Sequence, residues 1–194
     1  RAGRDMRRMA VTLGSGTVGS MTGEDETLVE ETRLKIDALH ALGENREDDQ
    51  AFQTLRGIAL DARQARALRE AALDGLAGFT KHDVLPVFVE VARKDTSVEI
   101  QAYATSVIGQ AKDRNRAITL LIDLFGSLPA DRKQSIETVF YSIAEVGNDR
   151  AVDFMKNVAL THKDYDLRRD AVYYLGNMGG ERARAALYEI LKGK

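Results

Sequence analysis

The chain has 194 residues, of which 44% are hydrophobic and 30% charged, and its formal net charge is -2. That length supports one sizeable core or one extended array, and the composition is too apolar for wholesale disorder. The near-neutral charge argues against a generic polyanion binder, and the absence of cysteine removes disulfides, thiolate metal sites and a Cys nucleophile.

No apolar run approaches the ~20 residues that a membrane span needs. Only Pro86 and Pro129 interrupt a chain dominated by Ala, Leu, Arg and Glu, so nearly continuous helix is predicted. Residues 1–24 open on Arg rather than Met, which suggests a processed or cut boundary. They read as a short helix stub followed by a Gly, Ser and Thr linker containing Gly14, Gly16 and Gly23.

From residue 25 to 194 a pattern recurs. Its first copy is Leu34, Lys35, Ala38, Leu42 and Gly43, followed by Ala51, Leu55 and Ile58. The second is Leu68, Arg69, Ala72, Leu76 and Ala77, then Val84, Phe88 and Val91. The third is Ile100, Gln101, Ala104, Ile108 and Gly109, then Ala117, Leu121 and Leu124. The fourth is looser: Ser135, Ile136, Val139, Ile143 and Ala144, then Ala151, Met155 and Val158. The fifth is Leu167, Arg168, Ala171, Leu175 and Gly176, then Ala183, Leu187 and Ile190.

The anchors Leu42, Leu76, Ile108, Ile143 and Leu175 stand 34, 32, 35 and 32 residues apart, a period that marks stacked helical hairpins. Apolar positions at steps of four share one helix face. The small residue in the middle lets a neighbouring helix approach, and the Gly or Ala after the anchor serves a tight contact or a helix end. Each hairpin has apolar surface on more than one side, so only stacking buries it. Start signals agree: Asp95-Thr96-Ser97 before the third copy, Pro129-Ala130-Asp131 opening the fourth, and Asp164 or Asp166 as cap of the fifth.

Asp166-Leu167-Arg168 with Ala171, Leu175 and Gly176, then Gly180-Glu181-Arg182-Ala183, resembles the HEAT and HEAT-like repeats. Gly147-Asn148-Asp149-Arg150-Ala151 matches the second half of that pattern, while Ser135 and Ile136 depart from its Leu-Arg pair. The resemblance covers about residues 25–193 and is specific for the repeat class, not for function. It implies an all-α fold: an α-solenoid of about five HEAT-like hairpins, related to armadillo-like arrays, with a right-handed curve and the second helices along the concave side.

Candidate chemistry is sparse. His40, His82 and His162 do not cluster, and His82 and His162 sit beside carboxylates in expected turns. Deoxyhypusine hydroxylases, a HEAT-like class, hold iron with His-Glu pairs; this chain has no His-Glu dipeptide. Arg63, Arg66 and Arg69 recur at steps of three, which suits phosphates or, as favoured here, a salt-bridged face, with Arg69 tied to a loop carboxylate. There is no Trp to support a glycosylase-like groove.

Arg116, Arg150 and Arg182 recur after the inter-helix turns, so a structural ladder through Asp113, Asp149 and Glu181 is expected. Tyr141, Tyr165, Tyr173, Tyr174 and Tyr188 crowd the last two copies, with only Tyr103 earlier. The expectation is that they fill the core between hairpins; the alternative is a protein interface.

No enzyme, cofactor or metal is expected. The concave positions would include Gln53, Arg56, Glu90, Thr119, Asp123, Lys156, Asn157, Glu189 and Lys192, a polar set with both signs of charge. A non-enzymatic scaffold for a protein or peptide partner is therefore expected, as one module of a larger bacterial protein. Its contacts would be Arg56, Glu90, Asp123, Lys156, Asn157, Tyr188 and Glu189. Alternatives are a phycobilin lyase-type enzyme and, less favoured, a nucleic-acid binder. The outer face of the last helix, with Leu187, Tyr188, Ile190 and Leu191, also suits end-to-end association.

Overall fold

The polar turns between the apolar segments delimit helices. The computed structural model describes residues 23–193, with side chains from Val29 onward. The expected stub and linker, Gly14 and Gly16 included, lie outside the described residues. Gly23, read as a linker glycine, opens the first helix.

The described residues form ten helices in five hairpins. These are α1 (Gly23–Glu44) with α2 (Asp49–Leu60), α3 (Arg66–Ala77) with α4 (Leu85–Lys94), and α5 (Val98–Gly109) with α6 (Arg114–Ser127). They continue as α7 (Lys133–Val146) with α8 (Asp149–Thr161) and α9 (Tyr165–Met178) with α10 (Gly180–Leu191). The first helices pack side by side in chain order, the second helices do the same, and each second helix leans on the next first helix. Close packing joins neighbouring hairpins only, which makes the described chain an α-solenoid.

The anchors form the spine. Leu76, Ile108, Ile143 and Leu175 are fully buried, and Leu42 is partly buried against the same cluster. The second-helix triads behave alike: Leu55, Phe88, Leu121 and Met155 are fully buried. The first copy departs from its expected register. Leu34 and Ala38 are exposed, while Leu39 is buried and Ile36 is packed against the core. Without an earlier hairpin on its other side among the described residues, α1 turns a single narrow stripe toward α3.

Caps fix the hairpin turns. The carboxylate of Asp48 accepts from the backbone N–H groups of Gln50 and Ala51, and that of Asp113 accepts from Asn115 and Arg116. Asn148 caps α8, Ser97 caps α5, and Asp164 rather than Asp166 caps α9. Each satisfies donors that the first helical turn leaves free. Pro86 lies in the first turn of α4. Pro129 does not open α7; it lies three residues before the N-cap Arg132, whose N–H bonds the Pro129 carbonyl in a turn.

Candidate functional site

The expected partner-facing residues fall on successive second helices: Arg56 on α2, Glu90 on α4, Asp123 on α6, Lys156 and Asn157 on α8, Tyr188 and Glu189 on α10. Each stands five or six positions after the residue that opens its helix's apolar set, so they form a row across the layer. Arg56, Asp123, Asn157, Tyr188 and Glu189 are exposed; Glu90 and Lys156 are half-buried. Lys156 and Glu189 meet across two hairpins at 2.8 Å, and Glu90 pairs with Lys94 of its own helix. Gln53 and Lys192 are exposed, and Thr119 is held by Arg150.

The arginine ladder exists, but its partners lie one hairpin back rather than beside each arginine. Arg116 pairs with Asp83; Arg150 donates to the Asn115 carbonyl and to Thr119 Oγ1; Arg182 pairs with Asp153 at 2.6 Å and with Asp149 at 3.6 Å. Lys81 reaches Asp49 in the same sense, at 2.7 Å. Asp113, one expected partner, is occupied as a cap. The Arg182 hydrogen bond holds the Asp153 carboxyl below its ordinary range, and the Lys81 bond does the same for Asp49.

The three arginines at steps of three do not share a helix face. Arg63 precedes α3 and bonds Asp61, holding that carboxyl down at about 2. Arg66 pairs with Glu70 and Glu99. Arg69 is buried against Asp95, the residue that ends α4, with its Nε lacking a partner. All three are salt-bridged.

The histidines are spread out. His40 is exposed on α1, outside any turn. His82 stacks on Phe52, ring centroids 4.1 Å apart, with Nε2 3.0 Å from Asp49 but out of hydrogen-bond alignment. His162 ends α8 and presents its ring to Phe125. Among the described residues, no group of His, Asp and Glu converges as a metal site, and no helix is long and apolar enough to cross a membrane.

The tyrosines overturn their expected role as core filling. Tyr141, Tyr165, Tyr173 and Tyr188 are 50 to 71% exposed. Tyr174 is partly buried, and its ring packs edge-on against Phe140, Tyr141 and Tyr173. Burial pushes its hydroxyl pKa up. The result is an outward aromatic patch on α7 and α9, the first-helix layer, adjoined in sequence by exposed Val172. Tyr103, on α5, is half-buried; burial and its hydrogen bond with Asp74 raise its pKa strongly.

A cleft of about 630 Å³ opens where the α6–α7 loop faces the α8–α9 loop. Phe125, Leu128, Ile136 and Leu167 give it an apolar floor. Glu137, Asp164, Asp166 and Asp170 stand around it, against Lys133 and Lys163. The cleft was not expected from the sequence; the departure at Ser135-Ile136 was its one visible sign.

Residues 167–193, which span α9 and α10, match the family described as PBS lyase HEAT-like repeat. The last hairpin is thus a HEAT-like repeat, and the hairpins before it share its arrangement. No curated protein matches the chain.

Proposed function

We propose that this HEAT-like array is a non-enzymatic scaffold that binds another protein. The observation that carries the reading is the outward tyrosine patch on α7 and α9. Tyr141 and Tyr173 are exposed large rings ordered by edge contacts through Tyr174. Tyrosine gives wide contact area at low entropic cost and keeps a hydroxyl for hydrogen bonding, which suits association more than catalysis. The row from Arg56 to Glu189 on the second helices offers a further contact surface of mixed charge.

A phycobilin lyase-type activity is the competing reading from the enzyme class. The cleft is the roomiest place for a pigment, but four carboxylates against two lysines around it would repel the propionates of a bilin.

A photo-crosslinking residue at position 173 tests the scaffold reading, with position 35, exposed on α1 and far along the array from the tyrosine patch, as control. In cells, crosslinking at 173 yields a discrete partner band that Tyr141→Ala reduces, and position 35 yields none. Equal crosslinking at both positions, or bilin transfer by the purified chain, would overturn the reading.

A further inference from the structure

The fourth copy departs from the template at Ser135 and Ile136, and Ile136 lines the cleft. On α3 the template residue is Arg69, and it meets the residue that ends the second helix of its own hairpin, Asp95. Both side chains are almost wholly buried, at 7 and 5% exposure, so the pair fills the seam between helix and loop. On α5 the equivalent residue is Gln101. It reaches back to the preceding hairpin, donating to the Asp95 carbonyl, and accepts from Ser135 Oγ on α7, so the third copy also fills this position with a bonded polar side chain. On α7 the equivalent residue is Ile136, and the residue ending α8 is His162. An isoleucine cannot bond the imidazole or reach across as an arginine does. Both residues line the open cleft.

The loops on either side repeat the contrast. Arg132 donates to the Arg93 carbonyl at 3.0 Å and Arg93 to Ser127 Oγ at 3.1 Å, which ties the α4–α5 loop region to the α6–α7 loop. Among the described residues, no hydrogen bond or ion pair ties the α6–α7 loop to the α8–α9 loop. The gap therefore remains open, with an apolar floor and a net negative surround.

We propose that this cleft receives an arginine side chain, carried beside an apolar residue on a segment of a partner protein, which takes the place that Arg69 holds in the α3–α4 hairpin. The inference rests on the protein-binding reading above and names the chemistry of the segment bound. Glu137 has no ion-pair partner among the described residues, and Asp166 and Asp170 share Arg169 only at 3.4 and 3.6 Å, so acceptor capacity remains. A guanidinium suits this surround better than an ammonium. It is planar, less strongly hydrated, and presents five donors to several carboxylates while its methylenes lie on the floor. The apolar neighbour covers Phe125, Leu128 and Leu167.

The test is an NMR titration of the ¹⁵N-labelled chain with acetyl-Leu-Arg-Leu-amide, with the same peptide carrying citrulline for arginine, and with free L-arginine. The arginine peptide should shift amides at 125–137 and 161–170, and the other two ligands should bind at least about tenfold more weakly. Ile136→Arg supplies the missing guanidinium from within and should abolish the response while leaving distant amides unchanged. If that variant fails to fold, Glu137→Gln with Asp170→Asn serves instead, weakening the arginine peptide and sparing the citrulline peptide.

Equal binding of the citrulline peptide, equally tight free arginine, shifts outside the cleft, or no shift would each overturn the proposal. If the peptide fails while the crosslink at position 173 still forms, the cleft assignment alone falls. Loss of the crosslink as well removes the scaffold reading.

Discussion

Gly43 and Gly75 bring α1 and α3 into backbone contact. A Cβ built on Gly43 would lie 2.6 Å from the Gly75 Cα, and no side chain can rotate away to relieve it. A Cβ on Gly57, in the interior of α2, would meet nothing within 4 Å. Gly43→Ala should therefore destabilise by about 1–2 kcal/mol, because overpacking outweighs the gain in helix propensity. Gly57→Ala should stabilise by about 0.5–1 kcal/mol. Urea denaturation of the two variants measures both, and a stabilised Gly43→Ala would refute the close approach. Arg69 gives a second contrast. Arg69→Ala leaves the Asp95 carboxylate buried with only the Ser97 N–H at 2.8 Å, so a loss of about 3 kcal/mol is expected in the same assay. Arg69→Ala with Asp95→Asn should recover part of it, because the buried charge is gone while the space stays empty; no recovery would mean the cost is packing rather than charge. The tight glycine and the loop carboxylate were both legible as residue types in the pattern. Which glycine faced which, and the exposure of Leu34 and Ala38, were not, because a helix packed on one side tolerates apolar residues on the other.

Each hairpin is tied to its predecessor by a basic side chain reaching back, and the last such tie is Arg182 to Asp153 across α10 and α8. The sequence displayed the recurrence of Arg116, Arg150 and Arg182 but hid the partners. An ion pair that spans about one repeat looks like no local motif, and the neighbouring carboxylates Asp113 and Asp149 seemed equally available. The tie has a pH signature whose sign follows from Asp153, whose folded pKa lies below its ordinary value because Arg182 bonds the charged form. Above the ordinary carboxylate pKa of about 4 the contribution is fully present; as pH falls through that value and then the folded one, it is lost. Both partners are about half exposed, so the effect is small. At neutral pH, Asp153→Asn should speed amide exchange in α10 by about two- to fivefold and leave α3 unchanged. In equilibrium protection measured toward pH 2, the difference between variant and parent should vanish. A difference that persists in acid would show that Asp153 acts through packing.

Stacking also determines what happens past the last hairpin. One position after the residue that opens each second-helix set stand Phe52, Leu85, Ile118 and Val152, all buried by a neighbour at 9% exposure or less. In α10 that position is Arg184, which is exposed. On the first helices, Val172 replaces the position of Phe140 and is 39% exposed where Phe140 is 1%. Leu191 replaces Ala159 and is 82% exposed where Ala159 is 4%. The outer edge of the described array is thus apolar at its margins and charged in its middle. A solenoid edge with a continuous apolar face would recruit another hairpin or another copy, and a charged residue at the centre opposes that by desolvation. Arg184→Leu restores the interior pattern and leaves the fold of α10 alone, since a surface helix accepts leucine readily. It should convert the chain to a dimer at about 50 µM in sedimentation velocity, a concentration that reads micromolar association. Arg184→Glu, which keeps a charge there, should sediment as the parent does. If Arg184→Leu also sediments unchanged, the edge is closed by shape rather than by charge, and Val172 and Leu191 are then the margins of a surface that does not stack.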